Sequence, residues 1–123
     1  MIVGRVVAGC EPVVSVTIHG SHGRSAAVEM VIDTGFVGEL ALPSAEVATL
    51  QLRRVSFGWY VLADGSRVGL ARYHATADWH AGPRRVVVVA CEGSALLGMR
   101  LLRDCDLAMR VVAGGEVTIA PVR

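Results

Sequence analysis

Asp33-Thr34-Gly35 stands at the end of the apolar run Val28-Glu29-Met30-Val31-Ile32 and just ahead of Phe36-Val37-Gly38-Glu39-Leu40-Ala41-Leu42-Pro43. A strand that delivers a carboxylate into a tight Thr-Gly turn presents an acid able to take a proton from water, which is the chemistry of hydrolysis. Gly35 lets such a turn bring backbone amides close to the carboxylate, where a side chain would obstruct. Asp and Gly are also common in turns for local backbone reasons, so the surrounding sequence has to separate chemistry from ordinary turn formation. An acid closing an apolar strand favours chemistry, because it is costly to bury without a group that shares its charge.

The other aspartates are Asp64, Asp78, Asp104 and Asp106, and none is followed by Thr-Gly or Ser-Gly. Activation of water between carboxylates needs two acids close enough to share one proton, since like charges at that distance cannot both ionise. A chain with one such turn must find its second acid in another copy of itself. A two-fold axis through the turn supplies it, because it sets the same residue of each subunit face to face.

A second element lies downstream at Ala95-Leu96-Leu97-Gly98-Met99-Arg100-Leu101-Leu102-Arg103-Asp104-Cys105, after the apolar stretch Val86-Val87-Val88-Val89-Ala90. Its Leu-Leu-Gly followed by Leu-Leu suits a strand that passes the Asp33 turn and enters a short helix. Together the two elements resemble the retropepsin-like aspartic peptidases, the single-lobe, homodimeric relatives of pepsin. Phe36-Val37-Gly38-Glu39-Leu40 is closer to the small stand-alone bacterial and archaeal members than to the viral ones.

The resemblance extends over most of the chain and implies a mainly β fold, a small closed antiparallel β-barrel with one or two short helices, occupying residues 1–123 as a single domain. It implies an aspartic endopeptidase in which Asp33, Thr34 and Gly35 form the catalytic turn, with Thr34 bonding across the dimer axis. Substrate contacts are expected from Phe36, Val37, Leu97 and Gly98, and from Ala63, Asp64 and Gly65 at the tip of a flap hairpin. Gly98 is expected to permit close approach of the second element to the first. The partners implied are a second copy of the chain, with the active site on the two-fold axis, and a peptide or protein substrate. No metal or organic cofactor is required. The terminal strands, Met1 to Val7 and Val117 to Val122, are expected in the dimer interface. A non-catalytic dimeric peptide-binding or scaffold domain of the same fold is the alternative, since fold does not determine function.

Two positions depart from the viral pattern. Phe36 stands where viral members place a small residue. Met99 and Val37 occupy the positions of an Arg and an Asp that many of them pair, so an ion pair that holds the viral dimer is replaced here by apolar side chains.

The elements that position these residues follow from alternation and turn signals. Val13, Val14, Val16 and Ile18 mark one strand, His19-Gly20-Ser21-His22-Gly23 a turn, and Ala27 to Asp33 the return strand. Ser44 is placed to cap a short helix over Ala45–Leu50. Val55–Leu62 and Arg67–Ala75 are expected to pair through a two-residue Asp64-Gly65 turn. Leu107–Val112 and Glu116–Ala120 read as a closing hairpin around Gly114-Gly115.

Composition narrows the class further. At 123 residues, with 53% hydrophobic residues, the chain is long enough to bury a core. Its formal charge of +1 suggests neither nucleic acid nor an acidic membrane as partner, and all 12 cationic residues are Arg. The first residues, Met1-Ile2-Val3-Gly4-Arg5-Val6-Val7, lack the pattern of a signal peptide, and no run approaches a membrane span. Cys10, Cys91 and Cys105 are odd in number and lack Cys-x-x-Cys spacing, which fits unpaired thiols in a reducing cytoplasm. His19 and His22 have no accompanying third ligand, so a metal site is not expected. His74, His80, Arg53-Arg54 and Arg84-Arg85 read as packing or surface residues, the arginines with a minor prospect of binding acidic peptide side chains. The chain has no Gly-x-Ser-x-Gly elbow and no Gly-rich phosphate loop, which argues against serine hydrolase and nucleotide-binding functions.

Overall fold

The computed structural model describes residues 1–123. Alternation sets the first hairpin. After β1 (Ile2–Val7), strand β2 (Glu11–His19) buries Val14, Val16 and Ile18, and β3 (Ser25–Ile32) buries Val28, Met30 and Ile32. The two strands pair antiparallel from Val13 opposite Val31 to His19 opposite Ser25. Their connection places His22 and Gly23 at positive φ, which lets five residues reverse the chain between His19 and Ser25.

Beyond the Asp33 turn come β4 (Leu40–Pro43), helix α1 (Ser44–Thr49), β5 (Arg53–Val61), β6 (Arg67–Trp79), β7 (Gly82–Cys91), β8 (Leu96–Leu97), β9 (Cys105–Met109) and β10 (Glu116–Pro121). All ten strands belong to one sheet, ordered β5-β6-β7-β4-β8-β3-β2-β1-β10-β9. Two further residue pairs, Ile18 with Ala77 and His19 with Thr76, join β2 to β6, so the sheet bends back on itself. Most strands pair antiparallel, but β3 runs parallel to β8 and β4 parallel to β7. The enclosed core is a cluster of 23 buried residues, with Ile18, Met30, Leu40, Leu42, Val88 and Leu97 fully inaccessible to solvent.

Three local expectations are corrected. The helix expected near Leu101 does not form: Leu101 and Leu102 both donate to the Gly98 carbonyl in a succession of turns, and β9 already begins at Cys105. Asp104, at positive φ, breaks any helical continuation just before β9. Ser44 is the first helical residue and not the cap; its hydroxyl donates instead to the Glu92 carboxylate at 3.2 Å. The β5–β6 connection is not a two-residue turn. Gly65 N–H donates to the Leu62 carbonyl and Gly65 alone has positive φ, 85°, giving a type I turn closed by a left-handed glycine. The terminal strands pair within the chain, β1 with β2 and β10, and β10 with β1 and β9.

Candidate active site

The Asp33 turn is held by the strand beside it. Val31 and Ile32 pair parallel with Leu96 and Leu97, and the Asp33 N–H donates to the Leu97 carbonyl at 2.9 Å. The Phe36 N–H then returns to the Asp33 carbonyl at 3.1 Å, and the Gly35 N–H donates to Asp33 Oδ1 at 2.9 Å. One carboxylate oxygen is thereby oriented by the turn, while the side chain stays partly open to solvent. Thr34 is exposed, and its hydroxyl has no hydrogen bond within the chain.

The second element crosses tightly behind this turn. Gly98 N–H donates to the Glu39 carbonyl, Met99 N–H to that of Phe36 and Arg100 N–H to that of Gly38, at 2.9, 2.8 and 3.2 Å. Gly98 is buried, and a Cβ there would overlap the Gly38 carbonyl oxygen and press on the Phe36 ring, so the crossing requires glycine. Around the turn the surface is apolar: Val37 is 68% exposed and Met99 46%.

Next to the turn lies a groove of about 680 Å³ between residues 36–40, the concave face of the β5–β6 hairpin and β7. It begins at Phe36, three residues past Asp33, and Asp33 itself does not line it. Glu39 is anchored in its wall: Oε1 accepts from the Val87 N–H at 2.8 Å and Oε2 from Arg84 at 3.4 Å. Across the groove the Arg72 Nε donates to the Tyr60 hydroxyl at 2.7 Å.

Of the residues expected at the site, Phe36 and Val37 line the groove. Gly98 braces the turn from behind. Leu97 lies in the core with no exposed surface, so it reaches the site through its carbonyl and not its side chain. Ala63, Asp64 and Gly65 form the exposed hairpin tip and do not line the groove. The Ser66 hydroxyl and N–H both donate to Asp64 Oδ1, at 2.6 and 2.9 Å, and hold that carboxyl below its usual range. The histidines are dispersed: His19 meets Asp78 at 2.9 Å, His74 Nδ1 accepts from Arg85 at 2.6 Å, and His80 contacts the Cys105 thiol at 3.4 Å.

Glu39, Tyr60 and Arg72 are the residues that sequence reasoning passed over. Alternation places Gly58 and Tyr60 on one face of β5, with Phe57 and Trp59 on the other, and the regular pairing from Ser56 opposite Arg72 to Val61 opposite Arg67 sets Arg72 on the face of Gly58 and Tyr60. For Arg72 the available signal was a charged residue within an expected strand, and its facing depends on the hairpin register.

No family model and no curated protein matches this chain. Among solved structures it is similar to a retropepsin-like aspartic protease from Rickettsia conorii, with a TM-score of 0.51 over 98% of this chain and 94% of that one. Identity is 13%, so the likeness is one of fold. The chain is thus a mainly β protein with a retropepsin-like fold.

Proposed function

We propose that the protein is a homodimeric aspartic endopeptidase, one domain over residues 1–123, whose self-contacting sheet is the small closed barrel of that class. The observation that carries this reading is the Asp33 turn: a carboxylate oriented by Gly35 N–H, braced by Gly98 and left open at the surface, at the end of a strand in a fold shared with a retropepsin-like protease. The unengaged Thr34 hydroxyl and the apolar surface at Val37 and Met99 are suited to meet a second copy across a two-fold axis. Two Asp33 carboxyls then hold one proton and one water. The ionised carboxylate takes a proton from the water as its oxygen attacks the scissile carbonyl, and the protonated one donates to the developing oxyanion. The β5–β6 hairpin serves as the flap over substrate, with Ala63, Asp64 and Gly65 at its tip. No helix is long and apolar enough to cross a membrane, and the free thiols of Cys10, Cys91 and Cys105 suit a cytoplasmic location.

Asp33→Asn tests the reading. It retains size and most hydrogen bonding but removes the titrating carboxyl, so fold and dimer are expected to persist while peptide hydrolysis disappears. Wild-type activity is expected to follow a bell-shaped pH profile, because the dyad works only when singly protonated. Excess Asp33→Asn chains are expected to suppress wild-type activity through mixed dimers. Continued cleavage of a peptide library by the variant would overturn the assignment, whereas peptide binding without cleavage, indifferent to Asp33→Asn, would leave a peptide-binding scaffold.

A further inference from the structure

The groove beside the Asp33 turn carries a strong charge imbalance. Four arginines line it, Arg72, Arg84, Arg100 and Arg103, against one carboxylate, Glu39. That carboxylate is already engaged by Arg84 and the Val87 N–H. Arg100 and Arg103 are exposed at the rim, and neither they nor Arg72 forms an ion pair with any carboxylate of the chain.

Arg72 differs from the rim arginines in being held in place. Its Nε donates to the Tyr60 hydroxyl, and its guanidinium carbon lies 5.4 Å from the centroid of the Tyr60 ring. The same guanidinium occupies the space that a Cβ on Gly58 would take, so absence of a side chain at Gly58 makes its seat. Arg72 is partly buried, and neither terminal nitrogen makes a hydrogen bond within the protein. Partial burial of a cation without an anion is unfavourable. With Nε held by Tyr60, the terminal nitrogens of Arg72, which lines the groove, keep donors without a partner in the chain, and a guanidinium is suited to bind a carboxylate.

We propose that this groove binds a carboxylate of the substrate, with Arg72 as its anchor and Arg100 and Arg103 adding attraction at the rim, so that the protein selects acidic peptides. The inference rests on the peptidase reading, because the groove opens directly from residues that follow the Asp33 turn. The carboxylate belongs either to a Glu or Asp side chain or to the free C-terminus of a peptide, and the chemistry of capture is the same.

Binding measured on full-length Asp33→Asn protein keeps the test independent of catalysis. The probes are fluorescein-labelled, end-blocked peptides of Ala and Leu carrying one Glu at successive positions, each with a Gln counterpart, followed by fluorescence anisotropy. A parallel pair without Glu has a free or an amidated C-terminus. In at least one series the carboxylate peptide is expected to bind about tenfold more tightly at low salt, as for a charge-assisted hydrogen-bonded pair, with the difference shrinking as salt rises. Discrimination in the blocked series assigns a side chain, and discrimination only with the free terminus assigns the terminal carboxylate. Arg72→Gln, checked for folding by its thermal melt, is expected to abolish the difference within each pair, and Arg72→Lys to restore part of it. Equal binding in both series, or discrimination that survives Arg72→Gln, overturns the proposal. Loss of discrimination beside intact Asp33-dependent cleavage rejects the carboxylate site alone, whereas discrimination beside Asp33-independent cleavage rejects the peptidase reading alone.

Discussion

Gly98→Ala adds one methyl group where the two halves of the site cross. Built on the backbone, that carbon overlaps the Gly38 carbonyl oxygen and lies 2.6 Å from a Phe36 ring carbon and 2.7 Å from the Phe36 carbonyl oxygen. Two of the three obstacles are backbone oxygens already held by the N–H groups of Arg100 and Met99, so only the ring can turn aside. Overpacking a filled interior costs about 1–3 kcal/mol, and two fixed oxygens place this change in the upper half of that range. For a chain of this size, a loss of about 2 kcal/mol lowers Tm by roughly 6–12 °C. The crossing must also open, carrying residues 36–38 away from the Asp33 turn, and misplacement of this kind is expected to lower kcat about tenfold or more. Thermal unfolding followed by circular dichroism, with peptide hydrolysis measured at 25 °C, reads both effects. Gly115→Ala is the control: its methyl overlaps the Arg110 carbonyl oxygen in the β9–β10 connection, so it is expected to lower Tm comparably with little change in turnover. Wild-type melting and kinetics in Gly98→Ala would refute the crossing geometry. Equal loss of activity in the two variants would show that Gly98 matters only for stability.

If each subunit supplies one Asp33, specific activity is expected to fall on dilution through the dimer dissociation constant, and full activity of a monomer confirmed by sedimentation would contradict a shared site. Gly65→Val forces a β-branched residue to φ 85°, so it is expected to disturb the hairpin tip and reduce turnover while leaving the dimer intact; unchanged kinetics in the folded variant would make the hairpin purely structural. Burial holds the His80 imidazole below its ordinary 6.5, so the unfolded chain takes up the proton first and stability, complete above about pH 6.5, declines as pH falls below it. His80→Asn, which tolerates the local φ of 54°, is expected to flatten that decline in urea unfolding between pH 7 and 5, and an unaltered slope would reject the assignment.

Local chemistry was sufficient for the acid, its turn and its neighbours. An apolar run ending in Asp-Thr-Gly places Asp33 at a strand end whatever the rest of the chain does, and alternation with glycine turns delimits the β2–β3 hairpin within a few residues. That no other aspartate has that context was likewise legible. Facing and pairing were not. Leu97 looks like a cleft residue beside Gly98, yet the parallel pairing of β8 with β3 turns it wholly inward and leaves only its carbonyl for Asp33. The terminal strands carry no local mark of their partners; β1 fills both of its edges with β2 and β10 because those strands arrive beside it from opposite ends of the chain. Arg72 is one arginine among 12 in the sequence, and only the hairpin register set by the β5–β6 turn brings its guanidinium over Gly58 and against Tyr60. A strand's side chains alternate with a period of two, so a one-residue change in the turn reverses which side chains share a face, and that is settled only when the two strands pair.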